Sequence, residues 1–289
     1  MFVLVGYVVV IGCVLGGYAL AGGSFGVILH AAPHELFVIG GAAIGAFLVG
    51  NSSKTIKATL KYVPSLLKGS KYNKARYLEL MSLLYGVLVK VRKEGMMSIE
   101  GDIEKPADSP LFKKFPLIAA DHHLMEFITD YLRMMASGNL NSHEIENLMD
   151  NEIETHHHEA AVPAGAIQAV GDGLPAFGIV AAVLGVVKTM ASVGASPAVL
   201  GQMIAGALVG TFLGILMAYG FVSPLAQLAT QKVDESTKEL QCVKVTLLAS
   251  VQGYAPAVAL EFGRKVLYST ERPGFSELEG HVKGKKAMA

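Results

Sequence analysis

Along this chain, long charge-free apolar runs alternate with stretches of amphipathic, helical pattern. Phe2 to Ala21 reads FVLVGYVVVIGCVLGGYALA, without a charge, close to the roughly 20 residues that cross a hydrocarbon layer about 30 Å thick. Leu36 to Gly50 is a second apolar run, short for a span, with Pro33, His34 and Glu35 at its entrance. A third run covers 167–187 and a fourth 200–222. The long stretch 51–166 has a helical rather than an alternating period. Tyr77, Leu78, Leu80, Met81, Leu83, Leu84, Val87 and Leu88 form one apolar stripe, and Gly95 interrupts it. A helix is predicted from Asp121 to Ser137, stopped by Gly138, and another after Asn141 with Ser142, His143 and Glu144 as its cap. Beyond the fourth run the pattern predicts an amphipathic helix over Val233–Leu267, broken near Gly253 or Pro256, and disorder after Val282. The expected fold is all-α: a polytopic membrane protein with four transmembrane helices and a helical cytoplasmic domain. Its expected parts are two transmembrane helices within 1–50, a cytoplasmic helical domain over 51–166, two more transmembrane helices within 167–224, and a cytoplasmic helical tail over 225–289.

Composition supports lipid burial. Only 17% of residues are charged while 52% are hydrophobic, and the mean hydropathy is +0.46, against about a quarter charged in soluble domains. The 32 glycines suit membrane helices that pack closely. Balanced charge, 24 basic against 24 acidic residues, excludes the concentrated basic patch of a nucleic-acid binder. Cys13 and Cys242 cannot form a disulfide framework. Every Lys and Arg except Lys188 lies between Lys54 and Arg133 or between Lys232 and Lys286. The positive-inside rule then places 51–166 and the tail, with both termini, in the cytoplasm. No basic residue precedes the first run, so a cleaved signal peptide is not expected.

Candidate chemistry concentrates in the third and fourth runs. Pro175 and Pro224 can free carbonyls and permit kinks, although Pro224 can equally end its helix. Gly206, Gly210, Gly214 and Ala218 recur every four residues, a flat face suited to the close approach of a partner helix. Thr211 can bond back to its own helix or contact an ion path. Asp172 and Glu35 are the carboxylates near the spans, and the centres of the four apolar runs lack titratable groups. Any carboxylate that binds an ion at depth is therefore expected from a partner. His156, His157 and His158, with Glu152, Glu154 and Glu159, have some spacing for a metal but read as a solvated helix end, and His122–His123 is weaker still. No metal site is expected. Lys90, Arg92, Lys93, Glu94 and Glu100 read as a solvated face or a docking surface. No phosphate loop, nucleophile elbow or Cys/His pair is present, so neither an enzyme nor a cofactor is expected.

Five blocks carry a resemblance: GDGLPAFGIVAAVLGVV (171–187), VGTFLGILMAYGFVSPLA (209–226), QCVKVTLL (241–248), GYAPAVALEFGRKVLYSTERP (253–273) and LMDNEIETH (148–156). In this order and spacing, over about residues 1–280, the chain resembles MotA, the family of larger stator subunits of the bacterial flagellar motor. The resemblance implies a homo-oligomeric ring, a pentamer, in the bacterial inner membrane around single-span MotB-like partners that supply the membrane carboxylate. It implies that ion flow becomes torque on the rotor protein FliG. Carried over by position, Arg92 and Glu100 match the residues that engage FliG. Pro175 and Pro224 match the prolines that couple ion flow to movement, and Thr211 matches the hydroxyl facing the ion path. Sodium-driven relatives carry a threonine where this chain has Ala182, which implies H+ rather than Na+ as the ion. Gly86 departs from the family, which has a basic residue there. The rival expectations are an energiser of envelope transport like ExbB or TolQ, usually with three spans, and a passive membrane scaffold.

Overall fold

The computed structural model describes residues 2–138 and 141–286. Every regular element among them is helical, and none is a strand. The chain divides into two compact units, one built from the residues up to Gly69 with Ala160–Gln231, the other from Ser70–Glu159 with the residues from Lys232 on.

Four helices are long and apolar enough to cross a membrane. The first two are α1, Phe2–Leu20, and α2, Phe25–Gly50. They are joined by a tight turn in which Gly22 takes φ +75°, a left-handed conformation that glycine adopts without a side-chain clash. The second span differs from expectation. α2 is 26 residues long and begins at Phe25, with Pro33 inside it. Phe25–Leu29 (FGVIL) supplies the missing apolar length, so His30, His34 and Glu35 lie within a spanning helix rather than before one. The α3 helix, Ser53–Leu66, follows, its start capped by Ser52 accepting from the Thr55 amide. Leu66 buries against Ala164, Ile167, Ala226 and Ala229, so α3 belongs with the first unit.

The third span is the C-terminal part of α8, Ser142–Met190, a 49-residue helix containing Pro163 and Pro175. The fourth starts with α9, Pro197–Met217, passes through a π-helical turn at Ala218–Val222, and continues as α10, Ser223–Val251. Pro224 therefore does not end its helix. Ile39, Ala43, Leu174, Ala181 and Ala218 form the buried centre where α2, α8 and α9 meet.

The second unit is held by an apolar core with α4, Lys74–Glu94, at its centre. The stripe anticipated on α4 is buried: Leu80, Met81, Leu83, Leu84 and Val87 are fully inaccessible. They pack with Phe127, Ile128 and Tyr131 of α7, His122–Ser137, with Met149 of α8, and with Val243 and Leu247 of α10. Asp121 caps α7 through the Leu124 amide, and Gly138 ends it at φ +67°. The α8 start is set by Asn141 rather than by Ser142. The Asn141 side chain accepts from the amides of His143 and Glu144, and the Glu144 carboxylate accepts from the Asn141 amide, a reciprocal capping box. After α4 the chain folds through short helices, among them α5, Glu100–Glu104, and α6, Pro116–Ala119. The tail breaks where expected, with Gly253 at φ +89° before α11, Pro256–Val266. Residues 283–286, expected to be disordered, close α12, Phe275–Lys286, while 287–289 lie outside the described residues.

Candidate functional site

In the first unit α8 and α9 approach almost backbone to backbone. A Cβ added at Gly178 would lie 2.8 Å from the Gly210 carbonyl, and one at Gly214 would lie 2.7 Å from the Leu174 carbonyl. A Cβ at Gly185 would meet Ala207 at 2.6 Å. Without a hydrophobic drive between helices in lipid, such close contact is what holds them together. The glycine face expected to receive a partner helix is thus taken by the chain's own helices. Gly214 packs on α8, Gly206 faces Ala31 of α2 at 3.8 Å, and Gly210 sits between α8 and α2. Small residues permit approach from any helix, and here α2 and α8 of the same chain take the face.

The π turn lies where this pair continues. Its extra residue lets the Ser223 amide bond to the Ala218 carbonyl, five residues back, immediately before Pro224, which has no amide to give. Tyr7 of α1 donates its hydroxyl to the Phe221 carbonyl at 3.0 Å, and its ring meets that of Phe221 at 4.8 Å between centroids. Ser223 Oγ is buried without a partner, and a Cβ at Gly171 would stand 2.7 Å from it. The crossing is tightly packed at 171, where an added Cβ would require the Ser223 hydroxyl to move.

Ala182 and Thr211 are half-buried on consecutive steps of the α8/α9 contact, beside Ala181 and Gly210. The Thr211 hydroxyl makes no hydrogen bond among the described residues, unlike that of Thr189, which returns to the Gly185 carbonyl. Asp172 is exposed and accepts from Gln168 at 2.7 Å. The carboxylate that the spans were expected to lack is Glu35. Its Oε2 is buried without a hydrogen-bond partner and sits 2.5 Å from where a Gly210 Cβ would be. Its signal in the sequence was the apolar run 25–29 ahead of Pro33.

In the second unit Arg92 and Glu100 are exposed, the first in the last turn of α4, the second opening α5. Lys90, grouped with them in sequence, instead bridges to Asp102 at 2.8 Å, and Ser109 donates to the same buried carboxylate at 2.5 Å. Lys90 thereby fixes α5 against the end of α4, which positions the two exposed charges. Gly86 is half-buried, and a Cβ there would meet Leu111 at 3.2 Å. The three histidines diverge. The His156 ring lies 4.6 Å from that of His123, His157 bonds Thr237, and His158 faces Glu154 at 3.6 Å. No group of three potential metal ligands occurs among the described residues.

Residues 4–95 match the family described as Motility protein A N-terminal, and 119–242 match the MotA/TolQ/ExbB proton channel family. Motility protein A of Salmonella typhimurium is 57% identical over 283 residues, 98% of this chain and 95% of the relative. The chain belongs to the MotA family. The chemotaxis protein LafT of Vibrio parahaemolyticus is similar at 38% identity over 95% of both chains. The fold is that of the flagellar MotAB stator complex from Bacillus subtilis, with a TM-score of 0.74 at 22% identity, covering 94% of this chain and 98% of that one. As a MotA the chain is a stator subunit of the flagellar motor and a member of a channel family, which favours this reading over the transport-energiser and scaffold alternatives.

Proposed function

We propose that this MotA assembles as a homo-oligomeric ring, a pentamer, around a MotB-like single-span partner in the inner membrane, with both termini cytoplasmic. The ring converts proton flow past the partner's carboxylate into torque on FliG. The observation that carries this reading is the α8/α9 crossing, packed through backbone and continued through a π turn at Pro224. Such a pair moves as a unit, and a helix that already departs from the α pattern beside a proline bends there at little cost. Pro175 and Pro224 are the coupling residues. Ala182 and Thr211 face the ion path, and the missing oxygen at 182 favours a proton over Na+, since hard cations take several oxygen ligands. Arg92 and Glu100, exposed without an ion pair between them, form the rotor contact.

The test separates assembly from work. Pro175→Ala and Pro224→Ala are expected to leave membrane level and partner co-purification unchanged while stopping swimming. Arg92→Glu and Glu100→Lys are expected to impair swimming with the complex intact. Normal swimming in both proline variants contradicts the coupling role, and normal swimming in both charge reversals contradicts the rotor contact.

A further inference from the structure

Glu35 lies ten residues into α2, at a rise of about 1.5 Å per residue. It meets α8 at Ala181, nine residues before the helix end at Met190, and α9 at Gly210, thirteen residues after Pro197. By the same rise this places it roughly 14–20 Å below the ends of α8 and α9 where these are joined. A carboxylate at such depth is expensive in lipid and is found facing a cavity or the bundle interior. Both conditions hold. A cavity of about 410 Å³ reaches Glu35, lined by His30, His34, Lys188, Thr189 and Gln202 together with apolar residues of α2, α8 and α9. Its lining includes polar groups, and it has room for several waters. The Glu35 Oε2 atom is buried with no protein partner, close against the backbone of Gly210.

No structural role explains this arrangement. A carboxylate that held the helices together would be paired, as Asp102 is with Lys90 and Ser109. Lys188 shares the cavity but forms no ion pair with Glu35 within 4 Å, and neither His30 nor His34 bonds it.

We propose that Glu35 is a proton-binding carboxylate of this chain, loaded and unloaded through the His30–His34–Lys188 cavity. This rests on the proton-driven reading above. A proton carried by cavity water binds Oε2, forming an O–H bond and neutralising the carboxylate. That bond breaks when the proton returns to the cavity water on its way to the partner's carboxylate, and Glu35 returns to its anionic form. The chain thus contributes a titratable station of its own.

Glu35→Gln keeps the shape and removes the proton site, while Glu35→Asp keeps the acid. In stator-deleted cells in sodium-free medium, Glu35→Gln is expected to assemble with the partner and to swim roughly tenfold slower. The deficit grows as the medium becomes alkaline and protons scarce, and Glu35→Asp retains most of the speed. Wild-type swimming of Glu35→Gln at every external pH overturns the assignment while leaving the proton-driven reading standing. If the unaltered chain itself stops without sodium, that reading fails and the Glu35 proposal with it. If Glu35→Gln does not reach the membrane, Glu35→Cys in a Cys13→Ala background decides. Labelling by a small water-soluble thiol reagent supports a water-filled route to this position, and complete protection overturns it.

Discussion

Arg76 holds three parts of the second unit through one guanidinium. Its Nε and Nη2 donate to the two oxygens of Glu239 at 2.6 and 2.9 Å, Nη2 donates to Asp121 at 2.7 Å, and Nη1 donates to the Leu117 carbonyl at 3.0 Å. The side chain is only 6% exposed, so removing it strands the buried Glu239 carboxylate. Arg76→Leu is expected to cost about 3–5 kcal/mol, read as a lower thermal unfolding midpoint of the purified complex, and an unchanged midpoint contradicts it. Burial alone would raise Asp121, but the Lys71 ammonium and Arg76 guanidinium hold its carboxyl below the ordinary value of 3.8. A carboxyl lowered on folding stabilises the native state above its unfolded value. That contribution is therefore present at neutral pH and fades as pH falls below about 3.8. Cys242 is fully buried, and burial pushes its thiol up to about 12. In a Cys13→Ala background it is expected to resist maleimide at neutral pH until the protein is denatured. Labelling of the folded complex contradicts that packing. Such residue-level features were the least legible from sequence. Lys90, Arg92 and Glu100 look alike as charges in a row, and only the buried Asp102 separates the structural lysine from its exposed neighbours.

At the scale of elements, what could be read depended on how strongly a run was punctuated. The stripe on α4 and the stop at Gly138 were legible because apolar spacing and a positive-φ glycine are local signals. The second span was truncated because Pro33, His34 and Glu35 imitate a helix entrance, whereas in the structure the proline sits inside α2. Pro224 offered two readings, and the π turn decides between them by carrying the helix past the residue that cannot donate. The glycine face of α9 was visible, but which helix it receives depends on tertiary packing that spacing does not encode. That packing predicts a contrast. Gly178→Val drives a side chain into the Gly210 carbonyl and Gly214 Cα, and is expected to abolish both membrane accumulation and motility. Gly201→Ala on the same α9 helix has nothing within 4 Å of its new Cβ and is expected to be tolerated. Equal accumulation of the two variants would mean that the α8/α9 pair is not held by backbone approach.

For the whole molecule, the family was legible because several long blocks keep their order and spacing over nearly the full chain, which no single short motif could supply. Placement of Ser53–Leu66 with the first unit was not, because 51–166 reads as one cytoplasmic stretch and only the burial of Leu66 against Ala164, Ile167, Ala226 and Ala229 reveals the attachment. With its single-span partner, this stator subunit is proposed to run on protons. The most direct measurement is the swimming of stator-deleted cells given this chain and the MotB-like subunit, first with sodium removed and then with a protonophore added. Swimming that survives without sodium and stops with the protonophore is the predicted result. Swimming that stops when sodium is removed contradicts it, and with it the reading of Ala182.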